Sequence, residues 1–291
     1  MDRISHLQDE LILDILSSLP NAKDVAATMM LSKRWRFLWT MVPRLVYDGS
    51  YLDIDYGRFS TFVNRSLLLH KAPLIDTLHF KIGNACSSGD IPALIRAADE
   101  RCVHELIIEI DTPPSNIYIT PVTLPRSLFT WCKMLVTLKL RNVVLTDDVT
   151  SLLFFPSLKN LSLISIKYPP GGDEFFNTLI SSCPILEDLV VKQILNDNLA
   201  IVTVRVPSLK RLVLNQEVKN VVKGIANGFV INTPSLECMD IVDFSTGCNI
   251  VESDMPNIVK AKVDIFHPKT EQLLGSITLA KYLHLCLPTS K

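Results

Sequence analysis

From Leu135 onward the chain repeats one pattern, apolar-x-x-apolar-x-apolar, and its spacing restricts the fold more than any other feature. Leu135-Leu138-Leu140, Leu158-Leu161-Leu163, Leu186-Leu189-Val191, Leu209-Leu212-Leu214, Leu236-Met239-Ile241 and Ile258-Ala261-Val263 are successive copies. Weaker copies stand upstream at Ile75-Leu78-Phe80 and Val103-Leu106-Ile108, and downstream at Ala280-Leu283-Leu285. From Leu138 to Leu283 the central residue advances in steps of 23, 28, 23, 27, 22 and 22. At that period a chain stacks small supersecondary units, because no single unit can bury its own apolar face. Five copies place proline two residues before the first apolar position, at Pro156, Pro184, Pro207, Pro234 and Pro256. Proline there fixes the entry into a short strand and is incompatible with a helix interior.

The physical expectation is a solenoid in which each unit gives one short strand and a return segment on the convex side. Phe175, Phe176, Leu179 and Ile180 have helical spacing before Cys183-Pro184, which supports a helical return there. Solenoids with this period usually carry Asn or Cys three residues after the strand. Those positions are Val143, Ile166, Ile194, Glu217, Phe244 and Phe266, so the sequence predicts an irregular arc. Residues between the inward apolar positions should point to the concave face, the usual binding surface of solenoids. The candidate target-binding residues are Lys139, Arg141, Ser162, Val190, Lys192, Val213, Asn215, Asp240 and Lys262. Their mixed character suits a folded protein or peptide better than a phosphate backbone, which would need a continuous basic stripe.

Residues 2 to 47 have a different grammar. Leu11, Ile12, Ile15, Leu16 and Leu19 recur at helical spacing over a helix from about Gln8 to Ser18, and Pro20-Asn21 stops it. Asp24 is a candidate N-cap for a second helix through Met30, and Ser32 for a third carrying Trp35, Leu38 and Trp39. So small a unit buries a low fraction of its surface, so part of its apolar area should face a partner. This stretch resembles the plant F-box. Leu31-Ser32-Lys33-Arg34-Trp35-Arg36 and Leu38-Trp39 match that family in order and spacing. The resemblance implies docking onto the Skp adaptor, and through it a cullin, by Leu7, Leu11, Ile12, Ile15, Leu16, Leu19, Val25, Leu31, Trp35 and Trp39. The chain has Gln8 where the family has proline, a loss of preorganisation worth about 0.4 to 1 kcal/mol.

The second half resembles the leucine-rich repeats of plant F-box proteins. The motifs are Leu152-Leu153-Phe154-Phe155-Pro156-Ser157-Leu158-Lys159, Ser182-Cys183-Pro184-Ile185-Leu186-Glu187-Asp188-Leu189, Val206-Pro207-Ser208-Leu209-Lys210-Arg211-Leu212 and Ile231-Asn232-Thr233-Pro234-Ser235-Leu236-Glu237. Many relatives continue into a C-terminal segment called the FBD. This chain stops at Lys291, soon after Tyr282-Leu283-His284-Leu285, so the FBD is expected to be missing or only begun. Between the halves, Phe59, Phe62, Val63, Ser66 and Leu67 follow helical spacing to about His70, before Pro73. That helix is expected to dock the first repeat against the F-box. Gly83 to Asp90 and Thr112 to Pro121 should be the least ordered stretches.

Other classes find little support. No apolar run approaches the 18 residues of a spanning helix, and Met1-Asp2-Arg3 opens no secretory signal, although mean hydropathy is +0.27. The net charge of −1 gives no general affinity for nucleic acid. Seven scattered cysteines without a CxxC pair read as reduced, mostly buried thiols of the cytoplasm or nucleus. Six dispersed histidines form no metal-ligand spacing, and His79 and His104 are expected at the surface. Gly171-Gly172 follows Pro169-Pro170 as a turn, Asp147-Asp148 and Asp173-Glu174 read as acidic helix starts, and Cys183 as a packed thiol. No residue earns a catalytic assignment and no cofactor is expected.

The reading is therefore an α/β chain with an N-terminal three-helix F-box at 1–47, a connecting helical segment at 48–73 and an irregular leucine-rich-repeat solenoid at 74–291. Its expected role is substrate recognition in an SCF-type cullin–RING ubiquitin ligase, with an unidentified protein target. A non-degradative interaction module and a small-molecule-dependent receptor are the alternatives.

Overall fold

The computed structural model describes residues 6–49, 56–83, 102–111, 124, 133–146, 153–194, 197–216, 228–244, 249–265 and 271–286. The segments 84–90 and 112–121 fall outside them, as do Pro125–Phe129, Asp147, Asp148, Glu217 and Phe266. The chain divides into two compact units, Met1–Val122 and Thr123–Lys291.

The first unit opens with helices α1 (Asp9–Ser17), α2 (Ala22–Ala27) and α3 (Lys33–Leu38). Ser32 caps α3 as expected, its hydroxyl accepting from the Trp35 amide. The cap of α2 is Asn21 rather than Asp24. Pro20 ends α1, and extended backbone at Asn21 lets its side-chain oxygen accept from the Lys23 amide at 2.9 Å. Asp24 sits in the first turn instead. Ile12, Leu16, Val25, Trp35, Leu38, Trp39 and Val42 close a small core, with Leu7, Leu13, Leu19 and Ala26 packed against it.

The chain then runs directly into a strand, β1 (Arg44–Asp48), which pairs in parallel with β2 (Thr77–Ile82). β2 pairs in parallel with β3 (Glu105–Ile110). Val42, Leu45 and Tyr47 are buried and occupy the same apolar pattern as the repeats, with Leu45 opposite Leu78 and Tyr47 opposite Phe80. This copy was hidden in the sequence because it overlaps the end of the F-box match. Helix α4 (Tyr56–Leu69) buries Phe59, Val63 and Leu67 on one face, as its spacing predicts. Its end is fixed to the helical core: the Lys71 amide donates to the Thr40 carbonyl at 2.7 Å, and the buried His70 ring bonds the Val42 carbonyl at 2.9 Å. His79 is less exposed than expected. Its ring contacts Glu109 at 3.1 Å, and burial holds its pKa below the ordinary histidine value.

In the second unit β4 (Thr137–Arg141), β5 (Asn160–Ile164), β6 (Asp188–Lys192), β8 (Arg211–Gln216), β10 (Cys238–Asp243), β12 (Lys260–Ile265) and β13 (Tyr282–Cys286) pair in parallel in that order. Their central repeat residues are direct partners, from Leu138 through Leu161, Leu189, Leu212, Met239 and Ala261 to Leu283. Alternation puts the second and fourth residues of each strand inside, and they are buried in all but the last. In β13, Leu283 is 50% and Leu285 39% exposed.

The return segments are not all helical. Phe175, Phe176, Leu179 and Ile180 do form the buried face of a helix, Gly172–Ser181. Later returns instead give a second parallel sheet of β7 (Ile201–Arg205), β9 (Gly228–Asn232) and β11 (Asn249–Val251), in the order β11-β9-β7. Alternation at Val202-Val204 and Phe229-Ile231, all four buried, is its cause.

Each proline-marked entry also contributes a buried residue just before the proline: Phe155, Cys183, Val206, Thr233 and Met255. Burial pushes the Cys183 thiol pKa up to about 12, and its sulfur bonds the Leu179 carbonyl at 3.3 Å, which fits a packing role. Among the described residues the cysteines are nevertheless not mostly buried: Cys102 and Cys286 are exposed and Cys238 is intermediate. Thr233 is fully buried with its hydroxyl unbonded among the described residues. Thr233→Val should therefore raise stability by about 1 kcal/mol, because a desolvated hydroxyl without a partner is replaced by a methyl group. Urea unfolding checks this, and a lower midpoint would refute it.

Candidate partner-binding surfaces

The helical unit shows how ten apolar positions divide between core and surface. Ile12 and Leu16 face inward from α1, while Leu11 and Ile15, at i and i+4 on its other side, are 49% and 44% exposed. Val25, Trp35 and Trp39 belong to the unit's own core, and Leu7 and Leu19 are partly buried against it. Leu31 is 67% exposed. Of the expected adaptor-facing residues, Leu11, Ile15 and Leu31 thus present free surface, while Ile12, Leu16, Val25, Trp35 and Trp39 hold the helices together. A short helix can bury one stripe only, so a two-sided apolar sequence such as Leu11-Ile12-Leu13 must leave part outside. Met29, Met30 and Phe37 are also exposed. The run Met29-Met30-Leu31 carried that signal, since three successive apolar residues cannot all face one core.

Gln8 is the N-cap of α1 and makes no side-chain cap bond. The start of the helix is held from α3 instead: Arg34 Nε donates to Asp9 at 2.7 Å, and Arg34 Nη2 donates to the Leu7 carbonyl. The pair is partly exposed, so its contribution is at most about 1 kcal/mol.

In the second unit the side of the strands facing solvent carries two ordered rows. One runs Lys139, Ser162, Val190, Val213, Asp240, Lys262 and His284, each residue the direct partner of the next. The other begins Arg141, Ile164, Lys192 and Asn215. All nine expected target-binding residues therefore fall in two adjacent rows on one side of the sheet. None is buried. Their centre is apolar, at Val190 and Val213, and both ends are basic.

Cross-strand pairs set the local electrostatics. Arg211 grips Asp188, which holds the guanidinium pKa above its ordinary value, and Lys262 Nζ lies 3.4 Å from Asp240. Lys210 and Lys159 flank Glu187 and hold its pKa below the usual carboxylate value. The ammonium of Lys260 lies 5.8 Å from the centre of the Tyr282 ring. Among the described residues no group of three or more His, Cys, Asp or Glu could hold a metal ion, and no helix is long and apolar enough to cross a membrane. Asp173 does not face a second acid; its carboxylate accepts from the Ala200 and Ile201 amides and fastens the entry to β7.

An F-box domain model matches residues 4–47, and the leucine-rich-repeat model of FBD-associated F-box protein At5g56370 matches residues 91–262. The putative FBD-associated F-box protein At5g56390 of Arabidopsis thaliana is 60% identical over 293 residues, covering 100% of this chain and 67% of the relative. A second such protein, At5g50270, is 56% identical, covering 99% of this chain and 68% of the relative. The F-box/FBD/LRR-repeat protein At5g56420, also from Arabidopsis thaliana, is 46% identical over 291 residues. The chain spans about two thirds of the length of these relatives.

Proposed function

The chain belongs to the FBD-associated F-box family with leucine-rich repeats, and from that premise we propose that it is the substrate-recognition subunit of an SCF-type cullin–RING ubiquitin ligase. An F-box and leucine-rich repeats in one chain suggest a substrate-adaptor role in general. The finer reading is that a three-helix F-box at 1–47 docks on a Skp-family adaptor and that a repeat solenoid at 74–291 holds the protein target. The segment 48–73 joins the two. The chain itself is non-catalytic, and other subunits supply the ubiquitin and the chemistry. Its mechanism is proximity: holding target and ligase together makes the transfer effectively intramolecular, a large rate effect. A cytoplasmic or nuclear setting accords with the scattered, unpaired cysteines.

The observation that carries this reading is the exposure of large apolar side chains on the unit that matches the F-box. Leu11, Ile15, Met30, Leu31 and Phe37 stand in solvent although the unit already has a closed core. Such side chains mark a surface made for a partner. The test is co-purification of the full chain with a plant Skp adaptor against Leu11→Asp/Leu31→Asp. Both positions are exposed, so folding should survive, whereas Trp35 is a core residue whose loss would confuse docking with unfolding. Affinity should fall about 100-fold or more in the double variant, as expected when two anchors are lost. Equal capture of variant and parent would overturn the assignment of this face. Failure of the parent chain to capture any adaptor would overturn the ligase reading itself.

A further inference from the structure

We propose that an open recess of about 640 Å³ over β8, β10, β12 and β13 anchors an acidic, extended peptide segment of the target. The proposal rests on the reading that this side of the sheet engages a target, and it names the chemistry of that target. Arg211, Lys260, Lys262 and Lys281 contribute four cations to the lining, with His284 beside them, against the single carboxylate of Asp240. The whole chain carries a net charge of −1, so this is a local concentration of positive charge.

The cations are not equivalent. Arg211 is engaged by Asp188 and Lys262 by Asp240, each from the neighbouring strand. Lys260 and Lys281 face no carboxylate among the described residues. Lys260 instead lies near the Tyr282 ring, whose negative face steadies the ammonium without neutralising it. A concave surface with unneutralised charge of one sign focuses its field and attracts the opposite charge.

Spacing selects the ligand. Lys260 and Lys262 are two residues apart on one side of β12, roughly 6.6 Å along the strand. Alternate residues of an extended peptide repeat at the same distance. A segment with carboxylates at every second position can therefore set one against Lys260 and the next beside Lys262, where it competes with Asp240. Tyr282 beside Lys260, and Val213 two strands from Lys262, add apolar surface to the recess. A phosphate backbone fits less well. The guanidinium that could fork onto phosphate is already occupied by Asp188, and no continuous basic stripe exists, since Lys262 is followed across the sheet by Asp240, Val213 and Val190.

The experiment is fluorescence anisotropy on the full chain with a labelled peptide bearing glutamate at every second position, and its glutamine counterpart. The glutamate peptide should bind about tenfold or more tightly than the glutamine one, and lose affinity as salt rises. Lys260→Glu/Lys262→Glu should weaken it by about tenfold or more. Lys133→Glu/Lys167→Glu makes the same charge change at exposed positions outside both rows and should leave binding within about twofold. Equal binding of the two peptides, equal loss in both variants, or tighter binding of a single-stranded oligonucleotide would each overturn the proposal. Adaptor capture, measured on the same samples, tests the ligase reading separately: its absence beside selective peptide binding would sink that reading and leave this one standing.

Discussion

Tyr47→Ala should destabilise the N-terminal unit by about 3 to 5 kcal/mol, a large part of the stability of any small domain. The ring is fully buried and joins three elements. It stacks on Phe80 of β2 with centroids 5.6 Å apart, meets the edge of Phe62 on α4 at 6.0 Å, and its hydroxyl bonds the Ser66 side chain at 2.8 Å. Burial also holds its hydroxyl pKa well above the ordinary tyrosine value, so the group is neutral throughout the working range. Tyr47→Phe should cost only about 1 kcal/mol, because one hydrogen bond goes while the ring and its contacts remain. Trp35 and Trp39 lie in the adjoining helical core, so urea unfolding followed by tryptophan fluorescence reads this region. An unchanged midpoint for Tyr47→Ala would show that the helices fold independently of β1.

Gly172→Ala should cost the second unit about 3 kcal/mol or more, by forced overlap. A Cβ at that position would sit 2.0 Å from the Asn198 carbonyl oxygen, 2.8 Å from its carbon and 3.0 Å from the Tyr168 Cβ. The obstacle cannot easily retreat. Asn198 Nδ2 donates to the Tyr168 carbonyl at 2.8 Å, the Tyr168 amide donates to the Asp197 carbonyl at 2.8 Å, and the Asp197 carboxylate accepts from Leu199 and Gln193. Gly171 is the natural control. Its φ of +79° is strained for alanine, but open space surrounds it, so Gly171→Ala should cost only about 1 to 2 kcal/mol. Denaturant unfolding followed by far-ultraviolet circular dichroism separates the two. A smaller effect at Gly172 than at Gly171 would overturn the packing argument.

The strand positions were legible because their cause is local and repeated. Leu138, Leu161, Leu189 and Leu212 each face the same neighbours one rung away, so one pattern writes itself many times. Cys183 and the helix at Phe175 were readable for the same reason. The second sheet was not, since Ile201–Arg205 and Gly228–Asn232 alternate over only five residues each and lie in returns for which the repeat pattern predicts no strand. The solvent-facing positions on the repeat strands followed from alternation alone. The exposed positions on the helices did not, because Leu11 and Ile12 differ by one step around α1, and which of them turns into the core is decided by packing rather than composition. The six-residue α2 shows the same limit, its cap set by where Pro20 releases the chain.

β1 has a consequence for how such proteins are recombined. The F-box match ends at residue 47, yet β1 runs from Arg44 to Asp48, so a cut at that border falls inside a strand. Cutting the module out there would carry away Leu45, Val46 and Tyr47 and uncover Leu78 and Phe80 of the β2 left behind, at a cost of about 1.5 to 3 kcal/mol for each large side chain uncovered. A new set of repeats joined to this module must therefore accept β1 as its first strand. In this chain the border of the motif at residue 47 is not a border of the fold, because β1 belongs by its pairing to β2 as well as to the helices before it.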